Sequence, residues 1–249
     1  MIKKILKFTL ITLIWLCLWQ VAAMLVASPL LLPTPLAVAK RLCELCATSD
    51  LYITLIYSFA RIALGLLLGV TIGILGGILT ASSRPAKDFL SPLLAVIKST
   101  PIASFIILIL LWLDRNSVPV VISTLVVLPV VWANVEAGIL NTDKALLEMA
   151  SAYQMTNFAK IKHIYAPSVT PFFTASLNSS LSLAWKAGVA AEALILPVLA
   201  IGTRIFEAKY NLETVDLFAW TVVVVILSVI IEKVAHVLTA KLAKKEAAR

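Results

Sequence analysis

Few side chains in this sequence could carry covalent chemistry, and their spacing excludes most of it. The only histidines are His163 and His236. Neither stands in an HExxH pair, and the chain has no nucleophile elbow and no glycine loop of the kind that cradles phosphate. Cys43-Glu44-Leu45-Cys46 has the form of a CxxC. Without a second pair, a neighbouring histidine or a βαβ pattern, it reads as two small apolar residues on an amphipathic helix. No catalytic residue, metal site or cofactor is expected, so the chain is not expected to be an enzyme.

The remaining charges are of another kind. Lys186 and Glu192 lie inside a long apolar stretch, where a charge costs about 3 kcal/mol even on insertion scales. Six residues apart, they are separated by about 9 Å along a helix and about 120° around it. They cannot pair with each other on one straight helix. Each needs a partner on another element, a water-filled path or a helix end. With Trp185 they are candidates for lining a pathway, and a structural role is the alternative. Arg61 and Lys98 are read as structural, close enough to segment ends to snorkel. Ser176, Asn178, Ser179, Ser180 and Ser182 make the same stretch polar, which interhelical hydrogen bonds and a lined pathway explain equally well.

The elements that must hold these residues are membrane helices. Of the 249 residues 61% are hydrophobic and 14% charged, with a mean hydropathy of +1.02; soluble domains run at about 45–50% and about 25%. The pattern predicts an all-α, polytopic membrane protein, a single domain over 1–249 with about six spans: 8–27, 62–81, 89–113, 117–135, 172–196 and 217–231. The first is long enough to cross about 30 Å of hydrocarbon, longer than a signal peptide's apolar core. The third is interrupted at Lys98 and split or kinked at Pro101. Residues 36–47 form an interfacial amphipathic helix, and 197–216 a polar loop. Gly65, Gly69, Gly73 and Gly77 recur every fourth residue, a face that lets another helix backbone approach closely.

The longest polar interruption is 141–171. Thr142 or Asp143 can cap a first short helix, 154–157 reads as a break, and Thr156 or Asn157 can cap a second that stops before Pro167. Six spans place both termini on one side with this helix pair. That side carries thirteen Lys and Arg residues against five in the opposite loops, which marks it as cytoplasmic. The basic excess follows topology and shows no nucleic-acid-binding face, so no nucleic acid is expected.

Glu148-Met149-Ala150 followed by Ile164-Tyr165-Ala166-Pro167 resembles the loop of the membrane subunits of binding-protein-dependent ABC importers. Glu148, Ala150, Ile164 and Pro167 match at the family spacing. Met149 stands for alanine, Gln154 for glycine and Ala166 for leucine. Glutamine lacks glycine's tolerance of positive φ, so 155–157 is the alternative place for the break. Leu32-Pro33-Thr34-Pro35, Ser58 to Gly65, and Ala184-Trp185-Lys186-Ala187-Gly188 with Ala190-Ala191-Glu192 extend the resemblance, to nitrate/sulfonate/taurine-type permeases, over roughly 32–233.

The resemblance implies a permease homodimer in a bacterial cell membrane, with cytosolic ATPase subunits and an extracytoplasmic solute-binding protein as partners. It assigns ATPase coupling to Glu148, Met149, Ala150, Ala152, Tyr153, Gln154, Ile164 and Pro167. The solute would be nitrate, a sulfonate, taurine or a vitamin precursor. A secondary transporter or channel independent of any ATPase is the alternative.

Overall fold

The computed structural model describes residues 2–247, and among them there are helices and no strands. Helix α1 (Ile2–Val26) is followed by α2 (Pro35–Cys46), which starts where Thr34 accepts from the Ala37 N–H and Pro35 needs no donor. Next come α3 (Ser49–Ser82), α4 (Arg84–Ser99), α5 (Ile102–Ile109), α6 (Val118–Leu140) and α7 (Lys144–Ala152). Helix α8 (Asn157–Lys160) runs through a π-helical turn, Ile161–Tyr165, into α9 (Ala166–Ile195). Helices α10 (Ile201–Tyr210) and α11 (Thr214–Ala247) complete the chain.

The core is a triple contact. The most extensive packing is α3 on α6, then α6 on α9. Gly65, Gly69, Gly73 and Gly77 all face α6: a Cβ at Gly65 would sit 2.4 Å from the Val120 carbonyl oxygen, and one at Gly69 2.8 Å from Val127 Cβ. Gly76 lies under the Trp132 indole, whose Nε1 donates to Thr80 at 3.0 Å. Helices approach this closely only where side chains are missing, and dispersion then holds them.

Helices α3 and α6 run parallel, whereas α6 and α9, and α9 and α11, run antiparallel. Gly65 meets the start of α6 and Gly77 its later part; Gly138 meets Val169 at the start of α9, and Trp185 reaches Val224 on α11. The Trp19 ring stacks on Phe218, joining the end of α1 to the start of α11. Helix α1 therefore starts and α11 finishes at the end of the bundle where α7 and α8 lie.

By length and composition four helices can cross a membrane, within Thr9–Val26, Ser49–Ser82, Val118–Leu140 and Thr214–Val237, and five if α4 and α5, bent by 102°, make one broken span. Helix α9 has 30 residues but is too polar to be counted on composition. Two boundaries differ from expectation. Helix α3 begins at Ser49, ahead of 62, because polar Ser58 and Arg61 hide its first turns from a hydropathy reading. The stretch 197–216 is not a loop: α10 occupies its middle, burying Ile201, Gly202 and Ala208.

Candidate functional site

Two sites stand at opposite ends of α9. At one end is an elbow. Asp143 caps α7 by accepting from the Ala145 N–H at 2.9 Å. The helix closes with a Schellman motif: the Met155 N–H donates to the Ala150 carbonyl and the Gln154 N–H to that of Ser151, at 2.9 and 3.0 Å. The motif needs a left-handed residue, and Gln154 takes that role with φ 51°. The turn therefore forms at 154, not at 155–157. Its two hydrogen bonds offset the strain of about 1–2 kcal/mol that a side chain incurs there.

Thr156 then caps α8, but the second helix does not stop before Pro167. The Ala166 N–H reaches back five residues to the Ile161 carbonyl. Pro167, which has no N–H to donate, directly follows the π-helical turn. The elbow is thus continuous with α9. Of the coupling candidates, Ala150 (0% exposed) and Ile164 are buried, while Glu148, Met149, Ala152, Tyr153 (79%), Gln154 and Pro167 are exposed. Sequence reasoning missed Phe158, 75% exposed, and Ile161, which extend the apolar surface of Met149 and Tyr153. Their signal was a pair of large apolar side chains in a polar stretch.

At the other end is a lock. Glu192, 0% exposed, accepts from Ser58 Oγ at 2.8 Å, from the Gly202 N–H at 3.3 Å and from Arg61 Nη1 at 3.4 Å. Ser58 Oγ also accepts from the Ile201 N–H at 2.9 Å, satisfying the uncapped start of α10. Arg61 donates further to the carbonyls of Leu199 (3.2 Å) and Val198 (2.5 Å) and to Asn116 (3.1 Å). One guanidinium thus ties α3, the α5–α6 turn and the link between α9 and α10, a link that contains left-handed Leu196 and Leu199. Gly202 is required by proximity, since a Cβ there would lie 2.3 Å from the Ala193 nitrogen.

The pathway candidates are not brought together. Trp185 is buried, its Nε1 donating to the Val224 carbonyl at 3.3 Å. Lys186 is exposed and faces Glu232 of α11 at 4.0 Å. Asn178 pairs with Thr239 at 3.1 Å and Ser182 donates to Glu232 at 2.5 Å, whereas Ser176 and Ser179 bond to carbonyls of their own helix. Much of the polarity of α9 thus fastens it to α11. Lys186 and Glu192 each find a partner on another helix, one of the three outcomes their spacing left open. Lys98 is exposed in the last turn of α4, beside the middle of α6.

Cys43 and Cys46 are exposed on α2, and no group of three metal-ligating side chains occurs among the described residues. Outside the bundle, Arg41 pairs with Asp216 and Arg204 with Asp50 across α2, α3, α10 and α11. The carboxylates of Asp216 and Glu44 hold the Arg41 guanidinium firmly protonated.

A family described as binding-protein-dependent transport system inner membrane component matches residues 52–245. The chain belongs to this family. It is a transport component of the inner membrane, an ABC importer permease rather than an enzyme. The permease is 28% identical over 240 residues to the protein named "Putative aliphatic sulfonates transport permease protein SsuC" of Bacillus subtilis, covering 96% of this chain and 87% of that one. It is 25% identical to the taurine transport system permease protein TauC of Escherichia coli, covering 86% and 80%. In fold it resembles the MetNI methionine ABC transporter in inward-facing conformations, with TM-score 0.58, 16% identity, and 76% of this chain and 93% of that one covered.

Proposed function

We propose that this permease pairs with a second copy to form a solute path and is driven by cytosolic ATPase subunits gripping the elbow. The observation that carries the proposal is the elbow itself. The elbow presents Met149 and Tyr153 to solvent beside Phe158, yet is anchored by buried Ala150 and Ile164, and its second helix, α8, runs without a loop into α9. Exposed apolar side chains on a rigid, anchored helix suit a partner groove, and Tyr and Met are enriched where partners bind. A push on α7 passes through the turn at 153–156 and α8 to α9, and α9 ends at the Glu192–Arg61 lock. ATP-driven closure of the ATPases would thus work the far face of the membrane. The charge excess supports a cytoplasmic elbow and cytoplasmic termini.

An extracytoplasmic binding protein would deliver solute at the opposite face, where the charged surface around Arg41, Asp50, Arg204 and Asp216 lies. Sulfonates and taurine are the solute class that the relatives support. The test is copurification of the tagged permease with its ATPase. Glu148→Arg, a charge reversal on the exposed face of α7, is expected to cut ATPase retention by about tenfold or more while membrane insertion persists. Retention and transport equal to the parent protein would refute the docking role.

A further inference from the structure

The geometry points to a transit site for a small monoanion with an apolar body, held by Lys98 at the break between α4 and α5. The inference rests on the permease reading above and adds the chemistry that the path selects. Residues Ser99 and Ile102 bound the break, and the two helices meet there at 102°. A cavity of about 240 Å³ opens at this corner, with Lys98 and Thr100 on one side and Phe105, Ile122, Pro129 and Val130 on the others. Ile122 to Val130 runs from the second turn to the middle of α6 (Val118–Leu140), so Lys98 is level with the interior of that crossing, where a charge is expensive. Three cations near or within the crossings have carboxylates: Arg61 has Glu192, Lys186 has Glu232 and Lys87 has Glu136. Among the described residues Lys98 has none within salt-bridge distance. Its counter-charge is left for a ligand. One cation against an apolar wall suits one negative charge and leaves a second unbalanced. The volume, at about 30 Å³ per water, holds about eight waters' worth of solute, the size of a four-carbon sulfonate.

The test uses the full-length permease in lipid nanodiscs, with Cys17, Cys43 and Cys46 replaced by serine and Thr100→Cys as reporter. Anionic sulfonatoethyl methanethiosulfonate is expected to label the reporter about tenfold faster than its cationic trimethylammonium counterpart, and 1-butanesulfonate to slow labelling. Lys98→Gln should abolish both effects and Lys98→Arg restore them. Equal rates for the two reagents, a preference that survives Lys98→Gln, or no protection by butanesulfonate would each overturn the site. A lipid phosphate could supply the same charge, so rates are compared in phosphatidylcholine and phosphatidylglycerol discs. Equal rates support a soluble anion, and protection by phosphatidylglycerol alone overturns it. Labelling needs no ATPase. Loss of ATPase copurification would therefore strike the permease reading alone, and indifferent labelling with copurification intact would strike this site alone.

Discussion

Replacing Arg61 by methionine removes the cation opposite a carboxylate that has no exposure to solvent, and the loss can be worked from the lock's geometry. Stripping the partner from a buried charge costs about 3–5 kcal/mol. Glu192 keeps the donors Ser58 Oγ at 2.8 Å and Gly202 N–H at 3.3 Å, and the link holding left-handed Leu199 is freed to relax, returning about 1 kcal/mol. The net expectation for Arg61→Met is about 2–4 kcal/mol. Glu192→Gln keeps the volume, and Arg61 retains the Val198 and Leu199 carbonyls and Asn116; its cost is about 1–2 kcal/mol. Were the two independent, the double variant would cost the sum. As a coupled pair it should fall short by about 1–2 kcal/mol. Unfolding in dodecylmaltoside micelles titrated with dodecyl sulfate, followed by fluorescence of the six tryptophans, gives all three values. Additivity within about 0.5 kcal/mol would refute the view that Arg61 and Glu192 hold each other.

Further expectations bear on other parts of the molecule. Gly69→Leu drives its Cβ to 2.8 Å from Val127 Cβ and 2.9 Å from the Thr124 carbonyl; it should cost about 3 kcal/mol or more and abolish a monodisperse size-exclusion peak, whereas Leu67→Ala on the exposed side of α3 should leave the peak intact. Gln154→Gly keeps the left-handed turn without its Cβ clash and should stabilise by up to about 1 kcal/mol, read as a raised melting temperature, while Gln154→Val lowers it. At Asp114, the Ser117 hydroxyl first and the Asn116 N–H second hold the carboxyl below the usual carboxylate range. A depressed folded-state pKa means the turn's support is present at neutral pH and is lost as pH falls through that lowered value; carbon NMR of the carboxyl should show Ser117→Ala shifting the midpoint upward.

What the sequence disclosed depended on periodicity. The glycines of α3 were readable because a repeat of four survives any ambiguity about helix ends. Their partner had a matching signal in Val127, Val131 and Val135, spaced by four on α6, and those three meet Gly69, Gly73 and Gly77. Asp143 and Thr156 were legible as caps because capping is local chemistry. The Schellman turn at Gln154 was not, since a tertiary anchor at Ala150 overrides the cost of a left-handed glutamine. Helix α10 escaped notice because it buries mainly Ile201, Gly202 and Ala208, too small a stripe to show as an amphipathic pattern. The lock was half visible: Glu192 demanded a partner, but only the fold could say that Arg61, 131 residues away, supplies it.

The absence of a joint between α8 and α9 has a mechanical consequence. From Asn157 to Ile195 the backbone stays helical, roughly 58 Å of beam at about 1.5 Å per residue, with no hinge loop to absorb a displacement. Two doors hung on one such beam cannot swing independently. Under the proposed drive by an ATPase, a displacement of α8 would reach the Glu192 end through one piece of backbone, so the coupling of the two faces would be a property of connectivity.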